Sequence, residues 1–157
     1  MPSADCIYGC DDHWWDLYAN DLKSKFACDL WTQSERSAKK YDLRHWAGES
    51  RPGLGKSKIH FGSNSGYQAI NLAYLLGAKR IVLLGYDMHR HDDKAHFFGS
   101  HPYHKNNGGP DNSLMQDWCE KFKQLSYDLK QEGVEVINAT RKTVLTAFDL
   151  QDLDSIC

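Results

Sequence analysis

The chain has 157 residues, with 19 Lys and Arg against 21 Asp and Glu and a formal net charge of -2. This length suits one domain with a single core, and the charge balance argues against a nucleic-acid surface. No apolar run is long enough to span a membrane, no signal peptide is apparent, and five cysteines without a CxxC pair favour a reducing cytoplasm.

The first third of the chain predicts strands separated by helical or polar stretches. Three strands are predicted here, over residues 5–10, 25–30 and 41–46. A helix is predicted over residues 13–22, with Asp11 or Asp12 as its N-cap. The polar stretch 32–40 predicts a loop or a short helix, so this third of the chain indicates an α/β fold.

A glycine-rich stretch, GESRPGLGKS over residues 48–57, superficially suggests a phosphate-binding P-loop. The P-loop spacing requires a glycine where this sequence has Ser50, and a helix must follow the motif. Residues 58–61 instead predict a strand. The stretch is therefore expected to be an ordinary loop.

The centre of the sequence predicts a turn, a helix over residues 66–76 and an apolar strand over residues 81–84. Four apolar residues in a row are typical of a strand that is buried on both faces of a parallel sheet. Ligands of such sheets bind beyond the carboxyl ends of the strands, which makes Asp87 a candidate catalytic residue. The start of the helix is a candidate anion site because free amides and the helix dipole attract negative charge. Its residues are Ser63, Asn64, Ser65 and Gly66.

Residues 88–112 predict a long lid or binding loop that is rich in His, Gly and Asn. Pro102 restrains the local backbone, so His101 and His104, with Tyr103 between them, are the best candidates for a placed acid or base. The histidines and aspartates of the loop also suit a metal, although their spacing is unlike a closed zinc site. A solvated polar loop is the third interpretation.

The last third predicts a long helix, a buried strand over residues 134–137 and a short helix over 140–148. Ser113 and Gln116 form a capping box, and Gly133 ends the long helix. The core stripe of that helix consists of Met115, Trp118, Phe122, Leu125 and Leu129. Asn138, after the last strand, and Asp11, after the first, are expected at the same sheet edge as Asp87.

Three segments carry a family resemblance: DCIYGCDDHWW, SNSGYQAINLAYLLGAKRIVLLGYDM and VEVINATRKTVLTAF. They resemble a Rossmann-like domain of unknown function that is shared by flagellar motility accessory factors and by phage and prophage proteins. That group is similar in fold to bacterial sialyltransferases using a cytidine-monophosphate sugar, and to an archaeal pterin diphosphokinase. The resemblance implies one Rossmann-like three-layer domain over residues 1–157 with a mostly parallel sheet.

The resemblance also implies a nucleotide or nucleotide-sugar ligand at the sheet edge, with no other cofactor. Ser65 and Gly66 match the donor-binding turn of the sialyltransferases, and His101, Tyr103 and His104 match their lid. The implied chemistry is inverting transfer: a His removes a proton from an acceptor hydroxyl and Tyr hydroxyls stabilise the leaving phosphate.

Relatives usually begin with a further strand and a Gly-x-Gly-Pro-Ser turn, which precede the first matched segment and are not found in this sequence. The lack of this phosphate-binding turn favours an alternative, a non-catalytic module of the same fold that binds a small nucleotide or a protein. An exposed sheet edge would then favour a homodimer. The second alternative is a metal-dependent hydrolase that uses the His/Asp loop. The expected setting is the cytoplasm, in a phage-infected or lysogenic bacterium.

Overall fold

A computed structural model describes residues 4–90 and 109–156 of the chain. Helices are interspersed with parallel strands along these residues, which confirms the predicted α/β class. They form two compact units, one from Met1–Arg51 and Gly55–Leu75 and the other from Pro52–Leu54 and Leu76–Cys157. Among the described helices, none is both long and apolar enough to cross a membrane.

The first unit contains two small parallel sheets. Its elements are β1 (Cys6–Tyr8), α1 (Asp12–Lys25), β2 (Asp29–Thr32), α2 (Glu35–Tyr41), β3 (Arg44–His45), β4 (Gly48–Glu49), β5 (Ile59–His60) and α3 (Ser65–Leu75). Strands β1, β2 and β3 form one sheet in that order, and β4 pairs with β5. The connections from β1 to β2 and from β2 to β3 each contain a helix, the usual crossover between parallel strands.

One hydrophobic core cluster of this unit lies between α1 and the first sheet. Trp15 and Ala19 of α1 are one helical turn apart and pack with Leu30 of β2. The Trp15 indole N–H donates to the carbonyl of Gly9, 3.0 Å away, so the largest core side chain leaves no polar group unpaired there. This contact fixes the backbone directly after β1, where the candidate site begins.

The second unit contains one parallel sheet in the order β6-β7-β8. Its elements are β6 (Arg80–Leu83), α4 (Asn112–Gln131), β7 (Glu135–Asn138) and β8 (Asp149–Leu150), followed by a 3-10 turn over Leu153–Ser155. Helix α4 buries four of the five predicted stripe residues: Met115, Phe122, Leu125 and Leu129. Trp118 is partly buried, and Gly133 ends the helix in a left-handed conformation with φ of 68°, as predicted.

The predicted capping box at Ser113 is wrong, because the N-cap is Asp111. Its carboxylate accepts a hydrogen bond from the Leu114 amide at 2.8 Å, and the helix already begins at Asn112. Asp is as good an N-cap as Ser, so the sequence offered two competing helix starts. At α1, Asp11 is the N-cap but its side chain makes no capping hydrogen bond.

Several predicted boundaries in the first unit are also corrected. The strand placed at 25–30 is Asp29–Thr32, because α1 continues to Lys25, and the strand placed at 41–46 shortens to Arg44–His45. The stretch 32–40 contains a short helix, α2, and the loop expected at 48–57 begins with the short strand β4. Strand pairing decided these positions, and pairing is not visible in local sequence.

Two further expectations fail in the second unit. The strand β6 is not buried on both faces, because Val82 is 39% exposed and Leu84, just after it, is 58% exposed. Residues 140–148 form no helix. There the Thr143 hydroxyl donates to the Tyr86 carbonyl at 2.6 Å and accepts from the Leu145 amide at 2.9 Å, so a side chain takes over the local hydrogen bonding.

Candidate functional site

The end of β1 meets the first turn of α3 inside the first unit. The Cys10 sulfur lies 2.9 Å from the Ser65 hydroxyl oxygen, and the Tyr8 hydroxyl donates to the Gln68 side-chain oxygen at 2.6 Å. Tyr8 is the last residue of β1 and Cys10 follows two positions later, and the side chains of both contact α3. This edge of the first unit, formed by Cys10, Asp11 and residues 62–66, is called the α3 edge below.

The turn before α3 has an uncommon backbone. Gly62 and Ser63 both have positive φ, 53° and 67°. Gly62 must be glycine, because an added Cβ would overlap the Tyr67 ring. Ser63 is not a glycine, and a non-glycine residue with positive φ has a strained backbone, which often accompanies a functional turn. Both Ser63 and Ser65 are exposed to solvent.

Asn64 is the N-cap of α3. Its side-chain oxygen accepts from the Tyr67 amide at 2.8 Å, and its carbonyl accepts from the Gln68 amide at 3.3 Å. The cap uses one amide of the first turn, and the first turn contains no acidic residue. The positive end of the helix dipole is therefore not neutralised by its own sequence, which suits an anion.

The neighbouring strand end reinforces this edge. The Gln33 side chain, after β2, donates to the Cys10 carbonyl at 3.2 Å. Asp11 is exposed, whereas the Asp12 carboxylate is occupied by the hydroxyls of Ser34 and Ser37 at the start of α2. Asp11, a predicted site residue, thus lies at the α3 edge and is exposed to solvent, whereas Asp12 connects α1 to α2 by hydrogen bonds.

Two titratable side chains at this strand end, those of Cys10 and Tyr8, are neutral near pH 7. Burial raises the pKa of the Cys10 thiol to about 11, and the bond to Ser65 lowers it only partly. Burial also raises the pKa of the Tyr8 hydroxyl far above its usual value. Neither group ionises near pH 7, so neither serves as a ready nucleophile or base there. Their contribution is to fix the strand end against the helix.

The other two residues predicted at the sheet edge, Asn138 and Asp87, belong to the second unit and differ in their exposure to solvent. Asn138 is 1% exposed, and its side chain donates to the Leu145 carbonyl at 3.1 Å and accepts from the Thr140 amide at 3.1 Å. It holds the loop after β7 from inside. Asp87 is exposed, its carbonyl accepts from the Val144 amide at 3.0 Å, and the next residue, Met88, has a positive φ of 55°.

The predicted lid residues His101, Tyr103 and His104 lie outside the described residues, so their catalytic role stays a prediction. The described residue before this stretch, Arg90, contacts the start of α4: its amide donates to Asn112 and its guanidinium to the Pro110 carbonyl, both at 3.3 Å. Within the described part of the chain, no group of three or more His, Cys, Asp or Glu could hold a metal.

Sequence reasoning missed Tyr8, Cys10, Gln68 and the pair Glu49 and His60. The period-two spacing of Tyr8 and Cys10 was a usable signal, because it puts both on one face of a strand. The pair Glu49–His60 had none, since β4 was not predicted. Searches against protein-family models, curated proteins and solved structures found no match to this chain.

Proposed function

We propose that this protein binds a nucleotide or nucleotide-sugar through its phosphate and acts as a transferase. The observation that carries the proposal is the convergence of the end of β1 with the first turn of α3, marked by the 2.9 Å approach of Cys10 and Ser65. Ligands of parallel α/β sheets bind beyond the strand carboxyl ends, and phosphates favour helix N-termini.

Three features of the α3 edge support a phosphate ligand in particular. Ser63 and Ser65 are exposed residues that carry hydroxyl groups, and the thiol of Cys10 is uncharged and does not repel an anion. The turn at Gly62 and Ser63 has an uncommon backbone with two positive φ values, of the kind that often accompanies a functional turn. The resemblance of the sequence to a Rossmann-like group that is similar in fold to nucleotide-sugar transferases adds the nucleotide and the transfer reaction to this phosphate chemistry.

A second candidate is a non-catalytic module that binds the same ligand. The neutral Tyr8 and Cys10 favour it, because neither of these two side chains supplies an acid or a base at pH 7. A metal-dependent hydrolase is the third candidate, and the residues on which it depends are those of the loop beyond Arg90. The homodimer through an exposed sheet edge also stays a prediction.

The test is a thermal-shift screen with cytidine and uridine nucleotides, their nucleotide-sugars and divalent metals. A ligand at a hundred times its Kd adds about 2.7 kcal/mol to the free energy of unfolding, which raises the melting temperature measurably. Stabilisation by a nucleotide supports the proposal. Stabilisation by metal alone favours the hydrolase, and no stabilisation by any nucleotide contradicts the proposal.

The variant Ser65→Asp localises the binding, with Ser113→Asp as its matched control. Both serines are exposed in the first turn of a helix, so both substitutions add one negative charge near a helix N-terminus, and Ser65 in addition contacts Cys10. Ser65→Asp should weaken nucleotide binding about tenfold through repulsion, roughly 1.4 kcal/mol. Ser113→Asp should leave the Kd unchanged. Equal effects of the two variants would contradict a phosphate site at α3.

A further inference from the structure

A histidine and a glutamate face each other at the end of the β4–β5 pair. Glu49 and His60 are register partners in these parallel strands. The imidazole Nε2 lies 3.3 Å from the Glu49 Oε1, and the His60 side chain is 13% exposed. The ring is therefore largely enclosed by protein but keeps some access to solvent.

The carboxylate of this pair is held in its charged form. The Lys58 ammonium lies 3.2 Å from Glu49 Oε2, and Arg51 lies 3.7 Å from Oε1. The hydrogen bond from Lys58 lowers the pKa of the Glu49 carboxyl below its usual value. A carboxylate that contacts one imidazole nitrogen fixes the orientation and tautomer of the ring.

The backbone of His60 is fixed as firmly as its ring. Its amide donates to the Asn71 side-chain oxygen at 2.9 Å, and the same oxygen accepts from the Gly55 amide at 2.9 Å. The ring lies against Gly55, where an added Cβ would come within 2.8 Å of His60 Cδ2. Such supports on several sides are what a pre-organised functional side chain requires, and an exposed surface ion pair rarely has them.

The position of His60 links it to the α3 edge. It is the last residue of β5, and the chain continues directly through Phe61, Gly62 and Ser63 into α3. The Phe61 amide donates to the Glu49 carbonyl at 3.2 Å, so both strands of the pair hold the start of this turn. In parallel α/β proteins, the residues at strand carboxyl ends are those that reach the ligand.

We propose that His60 is the proton-transfer group of the nucleotide site and that Glu49 positions it. This inference rests on the proposed function. The acceptor hydroxyl gives its proton to His60 as its oxygen bonds to the sugar carbon of the donor. The bond from that carbon to the phosphate oxygen breaks, and the nucleotide leaves with the electron pair. The imidazolium then returns its proton to solvent.

The experiment compares His60→Gln and Glu49→Gln with His45→Gln, which changes an exposed imidazole that contacts the Gln33 carbonyl. The nucleotide that stabilises the wild type most is titrated by calorimetry to give its Kd. Release of that nucleotide from the matching nucleotide-sugar, with a simple sugar as acceptor, is then followed from pH 5 to pH 9. Melting temperatures show whether each variant folds.

The expected result is that His60→Gln lowers turnover about 100-fold or more while the Kd changes less than twofold. Glu49→Gln should lose part of the rate and move the pH profile, and His45→Gln should match the wild type. Two results overturn the role of His60: normal turnover in His60→Gln, or nucleotide binding by the wild type without turnover of any nucleotide-sugar. Either result leaves the proposed nucleotide site at the α3 edge standing. Failure of the wild type to bind any nucleotide overturns the proposed function and this inference together.

Discussion

Asn71 is the side chain whose removal should destabilise the first unit most clearly. It is fully buried in α3 and makes three hydrogen bonds to backbone groups. Its oxygen accepts from the amides of Gly55 and His60, each at 2.9 Å, and its nitrogen donates to the Gly55 carbonyl at 2.8 Å. One amide side chain thus satisfies three backbone groups of a loop and a strand.

The substitution Asn71→Ala leaves those three backbone groups without their partner. Each buried group that loses its partner costs about 1–3 kcal/mol, and the better helix propensity of Ala returns roughly 0.6 kcal/mol. The expected loss is therefore about 3 kcal/mol or more in the free energy of unfolding. Urea unfolding followed by circular dichroism measures it.

The matched control is Asn20→Ala, which removes the same amide from an exposed position of α1. Exposed substitutions of this kind change stability by no more than about 0.5 kcal/mol. If Asn71→Ala is as stable as Asn20→Ala, then the three hydrogen bonds do not hold the loop and the strand end together. The hydrogen bond from the His60 amide to Asn71 would then not be what fixes the backbone of His60.

Two further substitutions test the backbone and the acid response. Gly62→Ala should lower the free energy of unfolding in urea by about 1–3 kcal/mol more than Gly77→Ala. Both glycines have positive φ, but Gly77 has open space around it, whereas Gly62 faces the Tyr67 ring. Equal losses in the two variants would contradict this packing. The pKa of the Asp12 carboxyl lies below its usual value because two serine hydroxyls donate to it. The carboxylate therefore stabilises the folded protein above the unfolded pKa of about 3.9, and this stabilisation is lost as pH falls through the lower pKa of the folded state. Stability measured from pH 5 to pH 2 should therefore fall less steeply in Asp12→Asn than in the wild type, and parallel curves would contradict the prediction.

The parts of the fold that sequence predicted best are those with a strong local period. The α4 stripe, including Phe122 and Leu125, repeats over about four turns, and four of its five residues are buried as predicted. The α/β class follows from the alternation of such helices with short apolar runs. Gly133 was predictable because a glycine after the last periodic residue is the commonest helix end.

The parts that sequence missed depend on contacts between distant residues. Thr143 prevents a helix by bonding to Tyr86, 57 positions away, and no local pattern reveals that partner. The apolar run that includes Val82 resembles a strand covered on both sides, yet one of its faces is partly exposed. Exposure depends on what packs against a strand, and four apolar residues specify only that a strand is favoured.

The candidate site shows the same division. The anion-binding potential of Ser63 and Ser65 follows from a helix start, which sequence reveals. The approach of Cys10 to Ser65 joins residues 55 positions apart, and the pairing of Glu49 with His60 depends on a two-residue strand. Asn138 was predicted at the ligand-binding edge of the sheet because of its place at a strand end, but its side chain makes hydrogen bonds to backbone groups of the loop that follows β7.

A phosphate site at the start of α3 is tested most directly by a two-dimensional ¹⁵N–¹H spectrum of the protein during titration with the nucleotide that stabilises it most. We expect the largest amide shifts at Ser63, Ser65 and Gly66 and at Cys10 and Asp11. The Ser65→Asp variant should show these shifts only at about tenfold higher ligand concentration. Saturable shifts concentrated elsewhere in the chain, or no shifts with any nucleotide, would contradict a phosphate site at the start of α3.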